Sequence, residues 1–385
     1  MYTYWPTLLR IFRYSFSRRY CTWRYLLFPV PITLLILSVR VIVFVCQGLD
    51  YILFPRFVQQ EVREPIFIMA NPRSGTTFLH RLLAEDEQFT WLKLWHTLLP
   101  SITLYRLVGA LTCVDRVIGR PLGRLFDGIN RLAFGGWDGI HKTGLDQSEE
   151  DEQLWVYLFL TPGIMIFYPF IDKLPEALTP DELPERMRRR LVRYMRRAMQ
   201  RHVYATGGKR LLAKNALAGG RLGIYREAFP DMVLIHTVRH PCETIPSAIS
   251  MFSKPWRTHS PQCLDPDAEL RNLVDIVVLN YHQLMQHRAT FDPERYIEFR
   301  YDALVSDPWS VVQAVYDKFE LECDDASRTR LHMLCEQART YRSTHEYDLA
   351  DFGLTAQEIA QLVPEVFAAW DFPLEPSDPQ RAAAG

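Results

Sequence analysis

The stretch Pro65-Ile66-Phe67-Ile68-Met69-Ala70-Asn71-Pro72-Arg73-Ser74-Gly75-Thr76-Thr77 decides how this chain is read. Pro65 to Ala70 form a short, continuously apolar run stopped by Asn71-Pro72, the pattern of a strand buried on both faces. Phe78, Leu79, Leu82 and Leu83 follow at helical spacing, so the order is strand, polar loop, helix. Backbone N–H groups at a helix start cradle anions when a glycine lets the chain approach closely. Here Ser74, Thr76, Thr77 and the Arg73 fork add directed donors around Gly75. The loop is not a Walker A motif, which needs G-x-x-x-x-G-K-[ST], because no lysine follows Gly75. ATP or GTP hydrolysis is therefore disfavoured.

Working outward, three more segments read as central strands: 210–213, 232–238 and 296–300. Helical patterns separate them over 185–203, 222–229, 243–252 and 270–287. Strands alternating with helices predict an α/β fold, a P-loop-like parallel sheet flanked by helices on both faces. Between Trp91 and Thr206 no strand is evident, which predicts a helical insertion over the carboxyl edge of the sheet, where an acceptor pocket would be built. The expected organisation is a segment 1–60, a main α/β domain over 61–373 containing the 91–206 insertion, and a frayed tail over 374–385.

A second anion site is expected where the 232–238 strand ends. Arg239 would stand at the carboxyl edge, where open α/β sheets bind ligands. Ser247 follows eight residues later on the next helix, about two turns away, so guanidinium and hydroxyl could clasp one phosphate together.

Charge is balanced overall and unbalanced locally. The 385 residues carry 44 Lys and Arg against 45 Asp and Glu, a net charge of -1, and 48% are hydrophobic. That balance excludes a general nucleic-acid binder, which needs a broad basic surface. Residues 1–24 hold Arg10, Arg13, Arg18, Arg19 and Arg24 with no acidic residue, and run into the apolar tract Tyr25–Leu49 with Arg40 as its single charge. At about 1.5 Å per residue the tract is long enough for a hydrocarbon core of about 30 Å. Pro29, Pro31 and Arg40 count against a simple span. Membrane association through residues 1–60 is expected, as a span, as an interfacial or re-entrant segment, or, without a bilayer, as a hairpin packed on the main domain. An arginine-dense amphipathic helix over 186–201 reads either as a solvated face or as a contact for anionic lipid. The seven cysteines form no C-x-x-C pair, and His236 and His240 lack a third ligand, so no metal site is expected.

Taken together, the two anion sites resemble the superfamily of sulfotransferases that use 3'-phosphoadenylyl sulfate (PAPS), in particular its bacterial-type members. The Arg73-Ser74-Gly75-Thr76-Thr77 loop is similar to the family's 5'-phosphosulfate loop, and the Arg239 and Ser247 pair to its 3'-phosphate clasp. Ser148-Glu149-Glu150-Asp151-Glu152, the stretch from Tyr301-Asp302 to Asp307-Pro308, and His345-x-Tyr347-Asp348-Leu349 leading to Phe352-Gly353-Leu354 extend the resemblance over residues 65–372. It implies transfer of a sulfuryl group from PAPS to a hydroxyl or amine of a small, carbohydrate or lipid-like acceptor, with no metal. Arg73 would serve the 5' side, and Lys214 resembles the lysine facing the sulfate, although its turn reads Lys214-Asn215-Ala216 and lacks the family's proline. For the base that takes the acceptor proton, the position about twenty residues after the loop offers His96, which titrates near neutrality. Glu150, Asp151 and His141 are its rivals. A P-loop kinase and an inactive membrane scaffold remain the alternatives, the first lacking its lysine and the second at odds with intact donor-site residues. The catalytic domain is expected in the cytoplasm, or alternatively in a Golgi lumen.

Overall fold

A computed structural model of the chain describes residues 4–121, 123, 124, 128, 147–265, 268–338 and 349–376. Five parallel strands form one sheet in the order β2-β3-β1-β4-β5: β1 is Ile66–Ala70, β2 Phe89–Trp91, β3 Arg210–Asn215, β4 Val233–Val238 and β5 Tyr296–Arg300. The four strands read from sequence are all present. The fifth, β2, was missed because only three residues of it pair, and only with β3.

Alternation along the strands explains why the sheet needs cover on both sides. Phe67 and Met69 of β1, Leu211 and Ala213 of β3 and Leu234 of β4 pack into one buried cluster, while Ile66, Ile68, Leu212, Val233 and Ile235 pack into another. Neighbouring side chains on a strand point to opposite faces, so a continuously apolar strand demands two apolar layers.

The amino-terminal segment is folded onto the domain. It comprises α1 (Trp5–Ser15), α2 (Trp23–Leu27) and α3 (Pro29–Leu53). Trp23–Leu53 is long and apolar enough to cross a membrane, with a mean hydropathy of 2.4 over an 18-residue stretch within it. Along α3 one stripe is buried: Pro29, Thr33, Arg40, Val43 and Asp50. Arg40, the charge that counted against a span, therefore faces protein. Arg10 pairs with Glu176 and Arg19 with Glu269, each at 2.5 Å, so two arginines of the basic head are engaged by the main domain.

After β1 come α4 (Thr76–Leu83), α5 (Leu94–Leu98) and α6 (Ile102–Val117). The 91–206 region then supplies α7 (Glu152–Val156) and the arginine-rich α8 (Glu185–Ala205). The lipid reading of α8 fails for several of its arginines, which bind protein. Arg201 is buried and donates to Asp50 at 2.9 Å, Arg197 donates to the Val58 carbonyl at 3.0 Å, and Arg196 to that of Ala228 at 3.1 Å.

Asp50 ties three helices together. Its carboxylate accepts from the Ser101 hydroxyl, the Ile102 and Thr103 amides and the Thr103 hydroxyl at the start of α6, and from Arg201 of α8. Beyond β3 the main helices are α9 (Leu222–Ala228), α10 (Pro241–His259), α11 (Glu269–Arg288), α12 (Tyr301–Ser306) and α13 (Pro308–Lys318).

Candidate active site

Three adjacent strands, β3, β1 and β4, deliver the chemistry to one edge. Strand order reverses around β1, and the crevice at such a point, beyond the carboxyl ends, is where open α/β sheets bind ligands. Lys214 lies near the end of β3, the loop 71–75 follows β1, and Arg239 follows β4.

The loop is shaped by two left-handed residues, Arg73 (φ 67) and Gly75 (φ 85). A Cβ on Gly75 would stand 2.9 Å from the Tyr301 ring and 3.0 Å from Leu304, so glycine is required for both backbone angle and space. The tight turn into α4 buries Ser74 and Thr76. Ser74 Oγ and Asn71 Nδ2 are buried without a hydrogen-bond partner among the described residues. Buried polar groups are ordinarily satisfied, so these two donors suit a ligand oxygen entering the loop. Asn280 of α11 fixes the loop from below, its amide donating to Asn71 Oδ1 at 2.9 Å and to the Ala70 carbonyl at 3.3 Å.

Arg239 and Ser247 both lie against Arg73 and are not bonded to each other. Arg73 Nε donates to Ser247 Oγ at 3.1 Å, and Arg239 Nη1 donates to the Arg73 carbonyl at 3.2 Å. Arg239 also pairs with Glu243 at 3.1 Å and lies 4.5 Å over the Tyr301 ring, while the Tyr281 hydroxyl donates to its carbonyl at 2.9 Å. Tyr301, Tyr281 and Asn280 were given no role from sequence. Tyr301 alone carried a signal, as an aromatic residue directly after the last strand.

On the other side of β1, the fully buried Lys214 donates from Nζ to Thr77 Oγ1 at 3.0 Å, and Glu150 Oε1 is 4.0 Å from the same nitrogen. The Ala216 amide donates to Glu150 Oε2 at 3.3 Å. Burial raises the Glu150 carboxyl to about 7, against the opposing pull of Lys214. Such a group exchanges its proton near neutrality, and its side chain is 22% exposed.

Its neighbours in the acidic run are committed elsewhere. Asp151 is fully buried, accepting from Asn215 Nδ2 at 2.5 Å and from the Tyr225 hydroxyl at 2.6 Å. Glu152 is paired with Arg221 and takes the Thr161 hydroxyl. Asn215, at the position where the turn departs from the family pattern, bridges both carboxylates and accepts from Arg221 at 3.0 Å. These side chains hold the Lys214 turn against α7, and Asp151 has no room for an acceptor.

His96 sits apart from this group. Its ring packs against Trp95, Tyr105 and His202, and its Nδ1 accepts from the Lys93 amide at 3.2 Å. Burial, with His202 and Lys93 nearby, pushes it down to about 2. The surroundings of His96 therefore do not support the expectation that it takes the acceptor proton. His141 and the His345 to Asp348 motif lie outside the described residues. No cluster of three metal-ligating side chains occurs among the described residues. A cavity of about 660 Å³ bordered by Arg56, Glu64, Tyr204 and Arg210 lies at the amino ends of β1 and β3, away from this chemistry.

The sheet edge thus offers two cationic grips, one around Arg73, Arg239 and Ser247 and one around Lys214 and Thr77, with a titratable carboxylate beside the second. The sequence pattern of the sulfotransferase family matches residues 65–112 and 142–325. The omega-hydroxy-beta-dihydromenaquinone-9 sulfotransferase Stf3 of Mycobacterium tuberculosis is 28% identical over 328 residues, covering 82% of this chain and 77% of that protein, and its Mycobacterium bovis counterpart gives the same figures. Sulfotransferase STF9 from Mycobacterium avium shares the fold with a TM-score of 0.69 at 19% identity, over 86% of this chain and 83% of that one. STF1 from Mycobacterium tuberculosis H37Rv does so with a TM-score of 0.62 at 22% identity, over 82% and 80%. A family match spanning more than half of the chain, on the fold and loop described above, places this protein in the sulfotransferase family.

Proposed function

We propose that the chain transfers a sulfuryl group from PAPS to the hydroxyl of an apolar, membrane-soluble acceptor. The observation that carries this reading is the meeting of Lys214, Thr77 and Glu150 on one side of the Arg73 loop, with Arg239 and Ser247, each bonded to Arg73, on the other. PAPS, when bound, supplies an activated sulfuryl group and a phosphate leaving group. Arg73, Ser74, Gly75, Thr76 and Thr77 would hold its 5' side, and Arg239 with Ser247 its 3'-phosphate.

Lys214 and Arg73 place positive charge where negative charge develops during transfer, a large term in group-transfer catalysis. Glu150 takes the acceptor proton, since a base is most effective when it titrates near the working pH. His96 then supports the insertion rather than the reaction. The acceptor class rests on the apolar amino-terminal segment and on likeness to Stf3, whose name specifies a menaquinone derivative. Residues 1–60 keep the site at a bilayer, with the catalytic domain on the cytoplasmic side.

Glu150→Gln tests the assignment. Turnover falls by about 10²- to 10⁴-fold while thermal stabilisation by adenosine 3',5'-bisphosphate persists and exceeds that by ADP. His96→Ala retains most of its turnover. Normal turnover in Glu150→Gln would refute the base, and a preference for ADP would refute the donor and favour a kinase.

A further inference from the structure

The membrane association just proposed leaves open how the chain meets the bilayer, and the structure carries that question further. We infer that α3 does not cross a membrane. Instead α1, α2, α3 and α6 present one apolar face that lies in a single leaflet rich in anionic lipid.

The inner stripe of α3 is occupied along its whole length. Pro29, Thr33, Arg40, Val43 and Asp50 recur at helical spacing and are buried. The Thr33 and Tyr168 hydroxyls are hydrogen-bonded at 2.7 Å near one end, and Asp50 is paired with Arg201 at the other. A spanning α3 would have to leave these partners and carry Arg40, midway along the helix, into hydrocarbon, where charged side chains are costly.

The outer stripe is apolar and bare. On α3, Leu35, Val45 and Ile52 are 62%, 56% and 75% exposed. The Asp50 junction sets the start of α6 beside the end of α3, and the two helices pack together. Leu107, Leu111, Val114 and Val117 of α6 are exposed too. Trp5 and Trp23 extend the surface onto α1 and α2 at 63% and 69% exposure. Soluble monomers rarely expose contiguous apolar patches beyond a few hundred Å².

The charges on these helices choose between occupants. The first acidic residue of the chain is Asp50, and both Asp50 and Asp115 are buried. The exposed charges are arginines: Arg13, Arg18 and Arg24 at one end, Arg106 and Arg116 on α6. Two copies meeting through this face would bring arginines against arginines, whereas anionic headgroups complement them. In-plane helices with an apolar face, a basic rim and tryptophans bind membrane surfaces in this way.

The test is co-sedimentation of the full chain with vesicles of phosphatidylcholine alone and with added phosphatidylglycerol. The unmodified chain binds both, the anionic vesicles more tightly. Leu111→Glu combined with Val114→Glu lowers partitioning at least tenfold, with the adenosine 3',5'-bisphosphate thermal shift unchanged as evidence of folding. Undiminished binding of that variant would overturn the in-plane face while leaving membrane association through α3 standing. Failure of the unmodified chain to bind either vesicle would remove both. A dimer in light scattering that the variant dissociates, with vesicle binding unaffected, would assign the face to a second copy and overturn the inference.

Discussion

Asp50 and Glu150 are carboxylates set beside a cation in two different regions, and the number of donors around each separates their roles. Asp50, at the junction of α3, α6 and α8, receives five hydrogen bonds, including one from Arg201 at 2.9 Å. Glu150, at the sheet edge, has one backbone amide at 3.3 Å and Lys214 at 4.0 Å. A carboxylate whose oxygens are filled by donors is a fastener. One held close to a cation but under-satisfied can trade a proton with a substrate.

The largest break in that comparison comes at the fastener. Asp50→Ala leaves Arg201 buried without its counter-charge, and removing one partner of a buried pair costs about 3–5 kcal/mol. Urea unfolding should register that loss, together with loosening of α6. Glu150→Gln, a neutral near-isostere of a group with few donors that is only partly ionised near neutrality, should leave the urea midpoint almost unmoved.

Gly75→Ala is next. It places a side chain at φ 85 and against Tyr301, a strain of about 1–3 kcal/mol. Displacement of Tyr301 should also disturb Arg239, so affinity for adenosine 3',5'-bisphosphate, measured by calorimetry, falls more than stability does.

The smallest effect is that of pH on stability, which opposes the two kinds of buried group. Burial first pushes His80, His96, His202 and His236 down to about 3, 2, 3 and 4. Their contribution is complete above the ordinary histidine value of 6.5 and is lost as pH falls below it. Burial raises Glu150, Asp151 and Asp181 to about 7, 6 and 6, so these favour the fold at lower pH and lose that advantage as pH rises through those values. At pH 5.5 the four histidines outweigh the three carboxyls in net proton uptake on unfolding. Tm by calorimetry should therefore be lower at pH 5.5 than at pH 7.5. Activity should rise through about pH 7 as Glu150 ionises, a dependence absent from the residual rate of Glu150→Gln.

Legibility followed the range of the interactions. Four strands were readable because burial on both faces makes them continuously apolar, and the Arg73 loop because its donors are consecutive. The places of Arg239 at a strand end and Ser247 on the next helix were readable from spacing, whereas the bonds by which both reach Arg73 were not. The fifth strand was hidden by its three-residue length. Glu150 stood within an acidic run whose members only the fold distinguishes, since Asn215, Arg221 and Tyr225 claim Asp151 and Glu152 from 63 to 74 residues away. His96 was favoured on spacing and ordinary titration, both of which ignore the aromatic packing that buries it.

The Asp50 junction also sets a timetable. Arg201 is 151 residues downstream of Asp50, and chains are synthesised at about 5–20 residues per second. For roughly 8–30 s, then, a nascent chain holds a long apolar helix whose Asp50 lacks its counter-charge, although the start of α6, some 51–53 residues downstream, is made earlier. Whatever receives that helix during the interval, bilayer or chaperone, meets it before the sulfotransferase domain exists to bury its inner stripe.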